Sequence, residues 1–161
     1  MTGSIQRPVA PPLPHAVDCR IATSANDLRA HWQVRHDVFV SEQLVFGGTD
    51  QDAWDTDDRT VHCIGVVRGR VVGAVRLYPL DPRGCRWQGD RLAVLPGFRS
   101  AGVGGPLVKL AVSIAKARGG QSMVAHVQLE NVRFFEYLGW RQDGPVEIYV
   151  GIPHQPMIII W

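Results

Sequence analysis

The chain has 161 residues, 45% of them hydrophobic and 20% charged, and a formal net charge of +2 at pH 7. That is length enough to bury a real core in one domain, and charge too slight to mark a surface for nucleic acid or membrane. Its three cysteines, Cys19, Cys63 and Cys85, are scattered with no C-x-x-C, which suits reduced thiols in a cytoplasm better than a disulfide framework.

Residues 1–17 hold Pro8, Pro11, Pro12 and Pro14 and no continuous apolar run. They read as a flexible tail rather than a signal peptide, ahead of one domain covering residues 18–161. No run approaches the ~18 apolar residues of a membrane span. Residues 19–22 fit a short first strand. Ser24 suits a helix N-cap with Asp27 three residues on, and Leu28, Trp32, Arg35 and Phe39 then recur at helical spacing. Arg35 is an odd member of that stripe if the stripe faces a plain core.

Asp50, Asp52, Asp55, Asp57 and Asp58 follow, gathered around Trp54. An EF-hand calcium loop is excluded, because Trp54 and Asp55 stand where that pattern needs a ligand and a glycine. Two readings stay open: a solvated acidic loop, or a loop that attracts a cationic substrate. Residues 60–67 and 71–78 are β-rich runs joined through Arg68-Gly69-Arg70, a hairpin signal. Residues 81–89 are turn-rich. A short apolar strand at 91–95 then feeds a glycine-rich turn at 97–105 and an amphipathic helix at 106–118. Leu107, Leu110, Ala111, Ile114 and Ala115 form the apolar face of that helix. Pro106 suits its first turn and Gly119 the position after its end.

The remaining pattern is a strand at 122–129, a short helix at 131–138 closed by Gly139, and strands at 147–150 and 157–161 on either side of a turn at 151–154. The last run is either a buried strand or an edge that pairs with another chain. Hairpins mixed with one crossover helix argue an α+β fold with a mixed sheet rather than a doubly wound parallel one.

The turn Arg99-Ser100-Ala101-Gly102-Val103-Gly104-Gly105 is where chemistry concentrates. It is not a Walker A loop, since no Lys-Ser/Thr follows the last glycine, and it lacks the third glycine of a dinucleotide fingerprint. What remains is R-x-x-G-x-G opening a helix, where free backbone N–H groups and the helix dipole favour an anion such as a pyrophosphate. Metal binding is not expected, because the six histidines show no H-x-x-x-H pair and no Cys/His cluster has ligand spacing.

Val94-Leu95-Pro96 with Arg99-x-x-Gly102-x-Gly104 and Leu107 resembles motif A of the GNAT N-acetyltransferases. Phe134-Phe135-Glu136-Tyr137-Leu138-Gly139-Trp140 is similar to that family's F-Y-E-x-L-G-F. The likeness covers about residues 19–161. It looks closest to the subgroup encoded beside bacterial nitrilase-type gene clusters, through Val38-Phe39-Val40-Ser41-Glu42-Gln43 and Gly151-Ile152-Pro153-His154-x-x-Met157. The resemblance implies a GNAT fold: a mixed, mostly antiparallel central sheet of about six or seven strands with helices on both faces. It implies acetyl-CoA as acetyl donor, and transfer to a small primary amine through a tetrahedral intermediate. The strand of Leu92, Ala93 and Val94 would splay from the next at a bulge and pair with the pantetheine arm, with residues 123–127 as the other wall. Arg99, Ser100, Ala101, Gly102, Val103, Gly104 and Gly105 would hold the pyrophosphate. Gln128 sits where many relatives place an Asn that touches the cofactor.

The proton chemistry departs from the family pattern, because Phe135 stands where the usual general acid is a tyrosine. Tyr137 comes two residues later, about 200° round the helix, and so on another face. Four side chains are the candidates, each with a plain structural alternative: Glu42 on the acceptor side, His126 in the strand facing the gap, Tyr137, and His154 in the turn at 151–154. The expectation is a cytoplasmic enzyme, monomer or homodimer, with no nucleic-acid or membrane partner. The alternatives are an acyltransferase using a longer acyl-CoA and a CoA-binding sensor or partner module without catalysis.

Overall fold

Ser24 caps the first helix as expected, its hydroxyl accepting the Asp27 N–H at 3.0 Å, in a computed structural model that describes residues 16–161. The expected tail, residues 1–17, therefore lies outside the described residues except for its end, where Val17 already belongs to the first strand. Helix α1 (Ala25–Arg35) continues without a break into wider π-type turns over His36–Glu42. Its buried face is His31, Val34 and Arg35, carried on by Val38 and Phe39. Leu28 and Trp32 are only half-buried at its margin, so the face is rotated from the expected stripe.

Among the described residues eight strands form one sheet, against the six or seven expected: β1 (Val17–Ile21), β2 (Val61–Val67), β3 (Arg70–Pro79), β4 (Arg86–Val94), β5 (Ser122–Gln128), β6 (Arg141–Gln142), β7 (Glu147–Tyr149) and β8 (Ile152–Ile160). The order is β1-β2-β3-β4-β5-β8-β6, with β7 also on β8; β4 and β5 pair in parallel and the other pairs among the described residues are antiparallel. The strand that no expected run covers, β6, has only two residues, which is why no periodicity announces it. Arg68 and Gly69, both at positive φ (51° and 76°), make the mirror-image turn that matches hairpin twist between β2 and β3.

Helix α2 (Gly104–Ala117) is the crossover between β4 and β5. Its end is a Schellman motif: Gly119 at φ 88° donates to Lys116 O and Gly120 donates to Ala115 O. Its N-terminal end sinks into the sheet. A Cβ on Gly65 would lie 2.6 Å from Val103 Cγ1, and one on the paired Gly73 would lie 2.8 Å from both Val103 Cγ1 and Leu107 Cδ1. Val103 and Leu107 are accordingly fully buried. Helix α3 (Val132–Tyr137) is short and closed by Gly139 at φ 94°.

Two boundaries move with consequence. Strand β4 starts at Arg86, not 91: the turn chemistry is confined to Asp81, whose carboxylate accepts the N–H groups of Arg83, Cys85 and Arg86. Strand β8 starts at Ile152, so the turn shrinks to Val150 and Gly151 at positive φ (47° and 80°), and His154 is a strand residue. The C-terminal run is an interior strand, paired with β5 on one side and with β6 and β7 on the other.

The acidic loop is solvated only in part, with Asp52 and Asp58 exposed. Asp50 and Asp55 are buried, and they close over Arg35 and Arg76, each with 0% exposure. Arg35 donates to Asp50 Oδ2 at 2.7 Å and to both Asp55 oxygens at 2.6 and 3.0 Å. Arg76 grips Asp90 at 2.8 and 2.7 Å and Asp52 at 2.7 and 3.1 Å. Asp50, Asp52 and Asp55 are thus engaged by arginines of the same chain, while Asp57 pairs with Arg59 and Asp58 is exposed. His31 completes the cluster: Nδ1 donates to Cys63 O at 2.9 Å and Nε2 accepts from Arg35 at 3.2 Å. Burial, with the guanidinium beside it, pushes this imidazole down to about 3. Asp55 is held well below the usual carboxylate range: burial works against it, but His62 and Arg35 outweigh burial.

Candidate functional site

Strands β4 and β5 pair only at Arg86–Ser122, Trp87–Met123 and Gln88–Val124. Past that point β4 carries a bulge. Ala93 pairs with Ala74 and Asp90 with Arg76, so Arg91 and Leu92 together face the single residue Val75. Arg91 has φ 52°, a left-handed conformation that a side chain rarely adopts. It is held there from the ionic cluster: its guanidinium donates to Asp50 O at 3.2 and 3.0 Å and to Asp52 Oδ2 at 3.3 Å, and lies 4.5 Å over the Phe46 ring. The bulge swings β4 away from β5 and a cleft of about 450 Å³ opens between them.

Leu92, Ala93 and Val94 form one wall of the cleft and Met123 with residues 125–128 the other, against the 123–127 expected. Gly102, Gly104 and Gly105 border it where α2 begins. Gly102 takes φ 74°, the turn that aims the next amides at the cleft rim. Val103 contributes no side chain to the cleft, being spent on the core beneath Gly65 and Gly73. The first turn of α2 contains no acidic residue and no side-chain cap, so the N–H groups of Gly104 and Gly105 have no intrahelical acceptor. Ser100 is exposed, Ala101 packs on the core, and neither lines the cleft.

Arg99 lines the cleft, but a neighbour already engages its guanidinium. It donates from Nη1 and Nη2 to Glu42 Oε2 and Oε1 at 2.7 and 2.5 Å, and from Nε to Val94 O at 3.1 Å. Arg99 thereby holds the Glu42 carboxyl below its usual range. Gln128 lines the cleft and donates to Gln43 Oε1 at 3.0 Å.

At the other mouth three rings meet. His126 stacks on Tyr149 at 4.3 Å, and Tyr149 meets the edge of His154 at 5.2 Å. His126 Nδ1 lies 2.7 Å from Glu147 Oε1, close enough for charge pairing though not at a hydrogen-bond angle. His154 is buried and donates from Nδ1 to Ile152 O at 2.9 Å, which leaves Nε2 as the acceptor nitrogen of the neutral ring. The structure thus brings His126 and His154 together across β5 and β8, where Gln128 pairs with His154. Tyr137 falls away from the candidates: it is 88% exposed and outside the cleft, on the far side of its helix as the 200° estimate implied. Phe135, at the family's tyrosine position, is buried against Trp140. The sequence reading missed Arg91, Asn131, Phe134 and Tyr149, all of which line the cleft. Among these, Arg91 stands at the head of the expected apolar strand at 91–95.

A strand pair parted at a bulge, with uncapped glycine amides at its rim, fits a CoA thioester: a thin arm between strands and an anion at the helix start. The model of the acetyltransferase (GNAT) family matches residues 27–140. The chain belongs to that family, and it is an acetyltransferase of that class. It is similar to the uncharacterized N-acetyltransferase YjcF of Bacillus subtilis (strain 168), 30% identical over 139 residues, which span 86% of this chain and 96% of the relative. Its fold is similar to that of Escherichia coli ElaA, with a TM-score of 0.78 at 22% identity over 89% of this chain and 99% of that one. It is also similar to that of an aminoglycoside 6'-N-acetyltransferase complexed with coenzyme A, with a TM-score of 0.67 at 14% identity over 90% and 96% of the two chains.

Proposed function

We propose that this enzyme transfers the acetyl group of acetyl-CoA to a small primary amine by direct attack within the cleft. The observation that carries the reading is the bulge at Arg91 and Leu92, which opens the sheet directly beside the bare amides of Gly104 and Gly105. Bound acetyl-CoA supplies the activated carbonyl. The residues that would hold it are the glycine turn at its pyrophosphate, Leu92, Ala93 and Val94 along its arm, and Gln128 across the gap. A β4 backbone N–H near Val94 would face the developing oxyanion.

Proton handling falls to the ring cluster. His154 Nε2 accepts a proton without disturbing the Nδ1 bond that fixes the ring. Of the three tyrosines in the chain, Tyr149 lines the cleft, and it takes over the donor role that Phe135 cannot fill. Glu42, fixed by Arg99, is a carboxylate for the incoming ammonium rather than a proton donor. The reading includes a cytoplasmic enzyme, monomer or homodimer, of the subgroup encoded beside nitrilase-type gene clusters, with no nucleic-acid or membrane partner.

Acetyl-CoA should raise the melting temperature of the protein, and Gly104→Asp should abolish that rise by placing a side chain and a negative charge at the helix start. No rise with the wild type at saturating acetyl-CoA would remove the cofactor; thiol release across a library of primary amines then tests the acceptor class.

A further inference from the structure

The cleft continues below the parted strands into the core. There its lining is Val75, Gly89, Val108, Ala111, Met123 and Phe135, all buried and none polar in its side chain. Gly89 is the first β4 residue after the pairing with β5 ends. A Cβ on it would stand 3.0 Å from Met123 Sδ, so the missing side chain makes room for the Met123 thioether that walls this chamber. Ala111 faces it from the buried stripe of α2, between the larger Val108 and Ile114. The buried indole N–H of Trp140, which also lines the cleft, has no hydrogen-bond partner.

Close-packed interiors leave few spaces larger than a water molecule, and an empty one lowers stability. Apart from the Trp140 N–H, which cannot accept from an ammonium, a chamber walled by aliphatic, aromatic and thioether groups leaves the charge and hydrogen-bonding groups of an amine unsatisfied. It suits a hydrocarbon tail. Because the chamber is continuous with the gap between β4 and β5, the tail would arrive on the thioester and not with the acceptor. We propose that the chamber is an acyl-chain subsite, and that the enzyme uses short- and medium-chain acyl-CoA donors in addition to acetyl-CoA, binding them more tightly. The reaction is unchanged in kind. The amine nitrogen bonds to the acyl carbon, the carbon–sulfur bond breaks, the nitrogen gives up a proton, and the thiolate takes one, leaving an amide and free CoA. This inference rests on the CoA-thioester reading above.

Calorimetric titration of the full chain with CoA, acetyl-CoA, butyryl-CoA and hexanoyl-CoA tests it. Affinity should rise about fourfold for each methylene seated, until the chamber is full. Ala111→Phe should cut the ratio of hexanoyl-CoA to acetyl-CoA affinity at least tenfold. If that variant does not fold, Gly89→Ala should lower the same ratio by crowding Met123. Equal affinities for acetyl-CoA and hexanoyl-CoA would overturn the subsite while leaving the cofactor in place. So would a ratio unchanged in a folded blocking variant. Failure of every CoA species to bind would overturn the cofactor reading, and the subsite with it.

Discussion

On the α2 face of the sheet, Val103 and Leu107 drop into space left by Gly65 and Gly73, and the fit is one of shape. On the α1 face, Arg35 and Arg76 are just as deeply buried, and they are held by Asp50, Asp52, Asp55 and Asp90. A buried ion cluster is weak evidence for stability, because desolvation offsets much of the attraction. Its contribution here is geometric. Asp50 and Asp52 also hold Arg91 in the left-handed conformation from which the cleft follows. The apolar face makes the fold compact; the ionic face shapes the site.

The contrast can be broken most sharply at Arg35. Arg35→Ala leaves Asp50 and Asp55 buried without their main partner, and should cost about 3–5 kcal/mol in urea unfolding. A loss under 1 kcal/mol would mean that the loop simply opens to water. Acid tests the same face. His31 is pushed down to about 3 from an ordinary 6.5, so the unfolded chain binds the extra proton between those values. Stability is therefore full above pH 6.5 and falls below it, by up to about 1.4 kcal/mol per pH unit from this ring. Asp55, also held low, adds its own loss below about pH 4. His31→Gln should flatten the melting temperature between pH 6.5 and 4.

The apolar face has its own test. Gly73→Ala places a methyl 2.8 Å from Leu107 and Val103 and should cost about 1–3 kcal/mol by overpacking, equally at pH 5 and pH 7. The smallest effect belongs to the cleft rim. Glu42→Gln breaks a half-exposed pair with Arg99, so stability should change by about 0–1 kcal/mol. The Michaelis constant for the amine should rise, and kcat should change little if Glu42 binds the ammonium.

Much of this was legible before any coordinates. The β2–β3 hairpin and the C-terminal end of α2 follow from local rules, because turn chemistry and capping act within a few residues; the helix starts at Gly104, two residues before the expected 106. The ionic cluster was not legible as a whole. Its acids lie together at 50–58, but their partners Arg35, Arg76 and Arg91 are far apart in the chain. Arg35 interrupts an apolar helical stripe and Arg76 an apolar strand, and those two oddities were the available signal. His154 was misplaced because Pro153 reads as a turn residue. It sits in β8 all the same, paired through Ile148 in a strand only three residues long. Tyr149 carried no sign at all, since its place beside His126 depends on the β5–β8–β7 registers.

The three-pair contact between β4 and β5 divides the sheet into two rafts joined by a short seam. One raft is β1 to β4; the other is β5 with β6, β7 and β8. Cooperative opening units follow such boundaries. Amide hydrogens of β5 and β8 should therefore exchange through an opening that leaves β2 and β3 protected. A ligand lying along the gap would bridge both rafts and slow exchange on the far side of the sheet, well beyond the residues it touches.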